Sequence, residues 1–393
     1  MKFYCVCFSN IHIFETAINL RTIYKINIMN SLTLLLMLIG FLLPLKSISA
    51  SEQFAVKRGT NLAHWLSQSE TRGKEREKFI TVVDIQNIAL MGFDHVRLPI
   101  DEEQMWDENG KRHDDAFQLM TNCIDWCAEN NLRIIIDLHI LRSHHFNAKI
   151  KPLWTEKKEQ EKFFDLWRDL SKSLNKYPTS LLAYELMNEA VADDAELWNN
   201  LVANAIKAIR KLEPNRTIVV GSNRWQSADT FDELKVPKND KNILLSFHFY
   251  EPFIFSHYNA SWTDMKNYKG PIHYPGAILT QAEFDALPEE MKEPAKHWVG
   301  IEFYKDIILK KWAKPITKAK QLGLPLYCGE FGIINNTPQE AEADKLRWYQ
   351  DMIDLFEETG IGYANWNYKS GSYGLVENDG AKNDKLINIL TGK

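Results

Sequence analysis

From residue 57 onward, short runs of β-branched and apolar residues alternate with longer stretches of helical periodicity, and that alternation leaves few folds open. The runs are VKRGTNL (57–63), FDHVRLPI (93–100), LRIIIDLH (132–139), LLAYELMNE (181–189), RTIVVGSN (216–223), NILLSFHFY (242–250), LPLYCGEFG (324–332) and GYANWNYK (362–369). Between them lie helical candidates such as 114–131, 195–214 and 344–360. In the second of these, Leu197, Leu201, Ala205 and Ile209 recur at about one-turn spacing and predict an apolar stripe facing a sheet. Gly360 stands where a helix stop is expected. Eight strands, each with a helical segment after it, fit a closed (β/α)8 barrel better than an open doubly wound sheet. The open sheet needs a Gly-rich phosphate turn after its first strand, and RGTNLAHW has no G-x-G-x-x-G. One domain is expected over 51–393. A long insertion after the sixth strand, at about 251–295, is rich in aromatics, Gly and Pro, which reads as a functional loop.

The first fifty residues are of another kind. LTLLLMLIGFLL (32–43) is an unbroken apolar block followed by Pro44 and the small-residue run ending at Ala50, the order of a secretory signal with cleavage after Ala50. The block is shorter than the roughly 20 residues that cross a bilayer, so an uncleaved anchor is the weaker reading. Met1 supplies Arg21 and Lys25 ahead of the block, whereas a start at Met29 does not. Either start leaves the same mature chain, expected to be secreted or periplasmic and without integral membrane association. Removal of residues 1–50 leaves 43 basic against 51 acidic side chains, a net charge of −8. That balance argues against nucleic acid or an anionic membrane as partner. Cys123 and Cys127, four apart in a helical pattern, read as helix-face packing, not a zinc site; with Cys328 they make no disulfide framework.

In a barrel the C-terminal strand ends converge on one mouth. Reading them in turn gives Arg97, then Asp137 and His139, Asn188 and Glu189, His248 and Tyr250, Glu330, and Trp366. One polar residue at a strand end is ordinary; polar residues at one end after another point to a site. Two carboxylates across one mouth fit cleavage of a glycosidic bond. That reaction needs an acid for the leaving oxygen and a second carboxylate on the other face of the sugar. A gap of about 5 Å between them indicates a covalent, retaining route and a wider one an inverting route. Twelve Trp is a high count, and some of these rings are expected to stack on sugars.

With GFDHVRLPID, LMNEA, LSFHFYEP and YCGEFG, the chain from about Arg58 to its C-terminal end resembles glycoside hydrolase family 5, the cellulase family. The resemblance implies Glu189 as acid/base and Glu330 as nucleophile. It implies Asn188 on the hydroxyl beside the reacting carbon, Arg97 and Tyr250 on Glu330, and His248 near Glu189. It also implies His139 on the floor of the subsite on the non-reducing side and Trp366 as its stacking platform. Ala190 stands where many members have Pro. Further expectations are that His64 and Trp65 reach the mouth, with Trp65 touching sugar, and that Trp225 extends the groove on the leaving-group side. Trp262 and Tyr258 could wall it. His144 and His145 read as hydrogen-bonding or solvent-facing, not as metal ligands. No metal and no cofactor is implied. The expected activity is that of a monomeric, secreted, retaining endo-β-1,4-glucanase, with a β-mannanase or exo-β-1,3-glucanase as the near alternative. A non-catalytic carbohydrate-binding barrel is the distant one, disfavoured because binding alone needs no tuned carboxylate pair.

Overall fold

The computed structural model describes residues 53–393, so the leader expected over 1–50 lies outside the described residues. Eight parallel strands close into one barrel: β1 (Arg58–Asn61), β2 (His95–Asp101), β3 (Arg133–Ile140), β4 (Leu182–Glu185), β5 (Ile218–Gly221), β6 (Ile243–Phe249), β7 (Leu326–Phe331) and β8 (Gly362–Asn365). They neighbour one another in chain order, and β1 pairs with both β2 and β8. This is the (β/α)8 architecture that the alternation implies.

Side chains alternate across a strand, and in this barrel the alternation separates two layers. Ile135, Ala183, Val219, Leu244, Tyr327 and Ala364, capped from below by Phe54 and Val56, fill the lower interior. Two residues further along β3 and β4 the same inward position holds Asp137 and Glu185, both fully buried, beside Arg97 from β2. An apolar plug therefore supports a charged layer directly above it. The outward faces pack against helices. In Ala195–Arg210, started by the Asp194 side chain accepting the Glu196 N–H, the buried stripe is Trp198, Leu201, Val202, Ala205, Ile206 and Ile209. Leu197, expected on that stripe, is 38 % exposed because its position rotates to the flank. Helix Asp114–Glu129 buries Cys123 and Cys127 as free thiols. Helix Glu342–Thr359 stops at Gly360, left-handed at φ 69°, where the sequence pattern puts a stop.

Several strand boundaries differ from expectation: β8 ends at Asn365 and not at 369, and two further differences place the charged residues of the mouth. β2 runs past Arg97 to Asp101, so Arg97 is an interior residue of its strand. β4 stops at Glu185, and residues 186–189 leave the ladder: the Leu186 N–H still reaches Val219 O, but the Asn188 N–H turns to Leu138 O. The apolar run LLAYELM made the strand look longer than its pairing.

The insertion after β6 is present, runs past the expected 295 to the helix Lys305–Lys311, and is largely ordered into short elements. It holds helices Phe253–Ser256, Gln281–Asp285 and Glu289–Ala295, and an antiparallel pair, Gly276–Ala277 with Glu302–Phe303. Tyr258, Tyr268, Ile272, Tyr274 and Ile278 are buried. Tyr274 fastens it to helix Glu342–Thr359, donating from its N–H to Asp344 at 3.1 Å and from its hydroxyl to Asp351 at 2.7 Å. Tyr258 donates to Gly270 O and is an internal residue of the insertion, not a groove wall; Trp262 is exposed. Among the described residues no helix is long and apolar enough to cross a membrane.

Candidate active site

The charged layer is organised by the Arg97 guanidinium, which is fully buried. Its Nε donates to Glu185 Oε2 at 2.6 Å, and Nη1 donates to Glu330 Oε1 at 2.8 Å and Asn61 Oδ1 at 3.0 Å. Nη2 reaches Glu185 Oε1, Asn188 Oδ1 at 2.9 Å and Asp137 Oδ2 at 3.0 Å. A planar five-donor fork suits this many acceptors; a lysine could not serve them. Burial opposes the charge of Arg97, but Asp137, Glu185 and Glu330 outweigh it and hold its pKa well above the ordinary value.

Glu330 enters from β7. The pairing between β6 and β7 shifts register at Phe247/His248, which brings Glu330 level with His248. A Cβ on Gly329 would lie 3.0 Å from Ser246 Oγ and 3.1 Å from His248 Nε2, so this residue too faces the interior, where the close approach favours glycine. The second Glu330 oxygen accepts the Tyr250 hydroxyl at 2.9 Å. Glu189 comes from the turn after β4 with left-handed backbone, φ 46°. Its Oε1 lies 3.0 Å from His248 Nδ1, and one ligating atom each from Glu189, His248 and Glu330 all fall within 4.8 Å of one another. Side-chain exposure is 13 % for Glu189 and 6 % for Glu330.

Four carboxyl groups thus crowd one guanidinium, and they cannot all be ionised together. Burial and then the negative charge of Glu330 push Glu189 well above the ordinary carboxyl range. Burial raises Glu330 as well, but Arg97 opposes the rise and the Tyr250 hydrogen bond helps, so its shift is the smaller one. Burial lifts Asp137 to about 7 against the pull of Arg97, and lowers His139 to about 4. The His139 imidazole is therefore neutral where its Nδ1 meets Asp137 at 2.7 Å. Burial and then Arg97 likewise lower His248 well below its ordinary value, which disfavours its charged form.

The structure brings together Arg97, His139, Asn188, Glu189, His248, Tyr250 and Glu330. Trp366, 7 % exposed, lies nearly parallel to His139 at 5.6 Å, with His64 edge-on to it at 6.3 Å. Trp225 is 44 % exposed on the turn after β5, where its N–H donates to Ala190 O at 3.2 Å. Trp65 is the correction. It is fully buried and its Nε1 donates to Arg76 O at 2.8 Å, so it packs behind the barrel wall and touches no groove. His144 is buried, accepts the Val191 N–H and meets Trp154 edge-on, which is a structural role. The sequence reading missed Glu185 and Gln226. Period two along β4 offers a signal for Glu185, two residues after the inward Ala183; Gln226 lies in a turn without such a pattern.

A family model described as cellulase (glycosyl hydrolase family 5) matches residues 57–372. The chain is 34 % identical over 346 residues to endoglucanase C of Acetivibrio thermocellus, covering 85 % of this chain and 97 % of that protein. It is 30 % identical over 308 residues to cellodextrinase A of Ruminococcus flavefaciens, covering 77 % and 83 %. A solved structure described as an endoglucanase superposes with a TM-score of 0.68 at 25 % identity, covering 86 % of this chain and 97 % of that one.

Proposed function

Since the chain belongs to glycosyl hydrolase family 5, and is therefore a glycosidase, we propose that it is a retaining endo-β-1,4-glucanase in which Glu330 attacks and Glu189 supplies and then recovers the proton. The observation that carries this reading is the glutamate pair: an oxygen of each within 4.8 Å of the other, beside His248, fits the short gap of a covalent route.

In the first half-reaction a Glu330 oxygen forms a bond to the anomeric carbon as the glycosidic C–O bond breaks. The Glu189 proton goes to the departing oxygen. With Glu330 esterified, Glu189 loses its charged neighbour and accepts a proton from the water that cleaves the ester. Asn188, held by Arg97 at 2.9 Å, is the donor for the hydroxyl beside the reacting carbon. Trp366 carries the sugar on the non-reducing side, and Trp225 one on the leaving-group side. The reading includes export of a monomer after cleavage at Ala50, supported by the apolar block at 32–43.

Trapping with a 2-deoxy-2-fluoro-β-cellobioside, followed by peptide mass mapping, tests the chemistry: the label should sit on Glu330, and a label elsewhere sinks the assignment. NMR of the first product should show the β-anomer. A panel of cellulose, mixed-linkage glucan, mannan and laminarin oligosaccharides tests linkage and mode, with internal β-1,4-glucosidic cleavage expected.

A further inference from the structure

Arg224, Trp225 and Gln226 are three consecutive non-glycine residues with left-handed backbone, at φ 57°, 60° and 52°. In that region the Cβ crowds the following carbonyl, so such residues normally occur singly. Facing them is Glu189, at φ 46°. Conformations of this kind persist only where surrounding contacts over-determine them, and they cluster at functional sites.

The contacts here converge on Gln226, which is buried. Its Oε1 accepts the Glu189 N–H at 2.9 Å. Its Nε2 donates to Glu185 Oε1 at 3.2 Å and Ser246 Oγ at 3.1 Å. The Glu189 N–H needs such an acceptor, because β4 has already left the ladder at Glu185 and a buried amide without a partner is costly. Space for the carboxamide exists because residue 221 is glycine: a Cβ there would sit 2.3 Å from Gln226 Cγ. The same amide thus grips the main chain of Glu189 and the carboxylate that holds Arg97 Nε at 2.6 Å.

We propose that Gln226 is a positioning residue for the acid/base, holding the Glu189 main chain in the left-handed turn that aims its carboxyl at the leaving-group oxygen. This rests on the assignment of Glu189 made above. Gln226→Met keeps the volume and removes both kinds of hydrogen bond, whereas Gln226→Glu keeps an acceptor for the Glu189 N–H. Active sites are counted by the burst of dinitrophenolate from 2,4-dinitrophenyl 2-deoxy-2-fluoro-β-cellobioside, a leaving group that needs no proton, so misfolded protein drops out of the comparison. Per counted site, Gln226→Met should lose about 30-fold in kcat/KM on cellotetraose but less than about threefold on 2,4-dinitrophenyl β-cellobioside, a fraction of what general acid catalysis supplies. Gln226→Glu, when protonated beside Glu185, keeps both an acceptor for the Glu189 N–H and a donor to Glu185, and should return to within about threefold of the parent on both substrates at a pH low enough to hold that proton. Equal losses on the two substrates, or undiminished cellotetraose cleavage, would overturn the proposal. Gln226→Asn, too short to reach the Glu189 N–H, carries the same expectation if the Met variant yields no countable sites. Glu189→Ala is run in parallel. If it discriminates between the substrates and Gln226→Met does not, the positioning role alone fails; if Glu189→Ala does not discriminate, the acid/base assignment itself fails.

Discussion

The ends of β4 and β7 present the same side chain on opposite kinds of backbone. Glu330 is the fifth residue of a six-residue strand that is buried throughout, and its two oxygens are taken by a guanidinium and a phenol. Glu189 stands four residues past the end of β4 on a left-handed turn, and among the described residues the side-chain partner of its carboxyl is His248. A strand paired on both sides, with a cation beside it, fixes a carboxylate and favours its charge. A turn with an imidazole beside it, facing a charged neighbour, favours the proton. Backbone and neighbours, not residue type, give the two glutamates different chemistry.

Exchanging one group at a time should expose that difference. The largest effect is expected at β7: Glu330→Gln should lower turnover by roughly 10⁵-fold, as loss of a covalent nucleophile does, while calorimetry still detects oligosaccharide binding. Preserved hydrolysis would take the attack away from this strand. At β4, Glu189→Ala should cost about 10²- to 10⁴-fold on unactivated oligosaccharides and far less on aryl glycosides with acidic leaving groups. Kinetics on a series of aryl cellobiosides measures this, and a loss independent of the leaving group would erase the contrast.

Arg97 belongs to both ends, since it contacts Glu330 directly and Asn188 and Glu185 on the β4 side. Arg97→Met should therefore reduce stability by about 3–5 kcal/mol, the cost of leaving buried carboxylates without their cation, as read by urea unfolding. A stability loss below about 1 kcal/mol would mean that the carboxyls simply take up protons, and that the cation serves chemistry more than folding.

The two ends also differ in how far the sequence disclosed them. YCGEFG carries Glu330 within a true strand, where the motif marks it; alternation counted from the inward Tyr327 would turn it outward, and the register shift at Gly329 that brings it inside is not announced by the sequence. LLAYELMNE carries Glu189 beyond the strand, and the apolar residues on either side of Glu185 concealed where pairing stops. Glu185 was legible in principle, as a carboxylate two places after an inward alanine. Gln226 was not, because it acts through a turn whose geometry is set by Gly221 and by contacts 37 residues away in the chain. Trp65 shows the opposite failure: a tryptophan close in sequence to the mouth turned inward, because its ring found a packed slot and a carbonyl for its N–H.

The finest test separates the two glutamates by pH. If Glu330 must be ionised, activity falls as pH drops through its pKa; if Glu189 must be protonated, activity falls as pH rises through its own. The Tyr250 hydroxyl, 2.9 Å from Glu330 Oε2, stabilises the ionised form of Glu330. Removing it in Tyr250→Phe should raise that pKa and move the acid limb of kcat/KM upward by about one unit, since a hydrogen bond to a charged group is worth roughly 1.5–3 kcal/mol and one unit is about 1.4 kcal/mol. The basic limb should stay in place: above the acid limb Glu330 is charged in both proteins, so the repulsion that lifts Glu189 is unchanged. A shift of the basic limb with the acid limb fixed would assign the titrations the other way round, and with them the roles of the two strands.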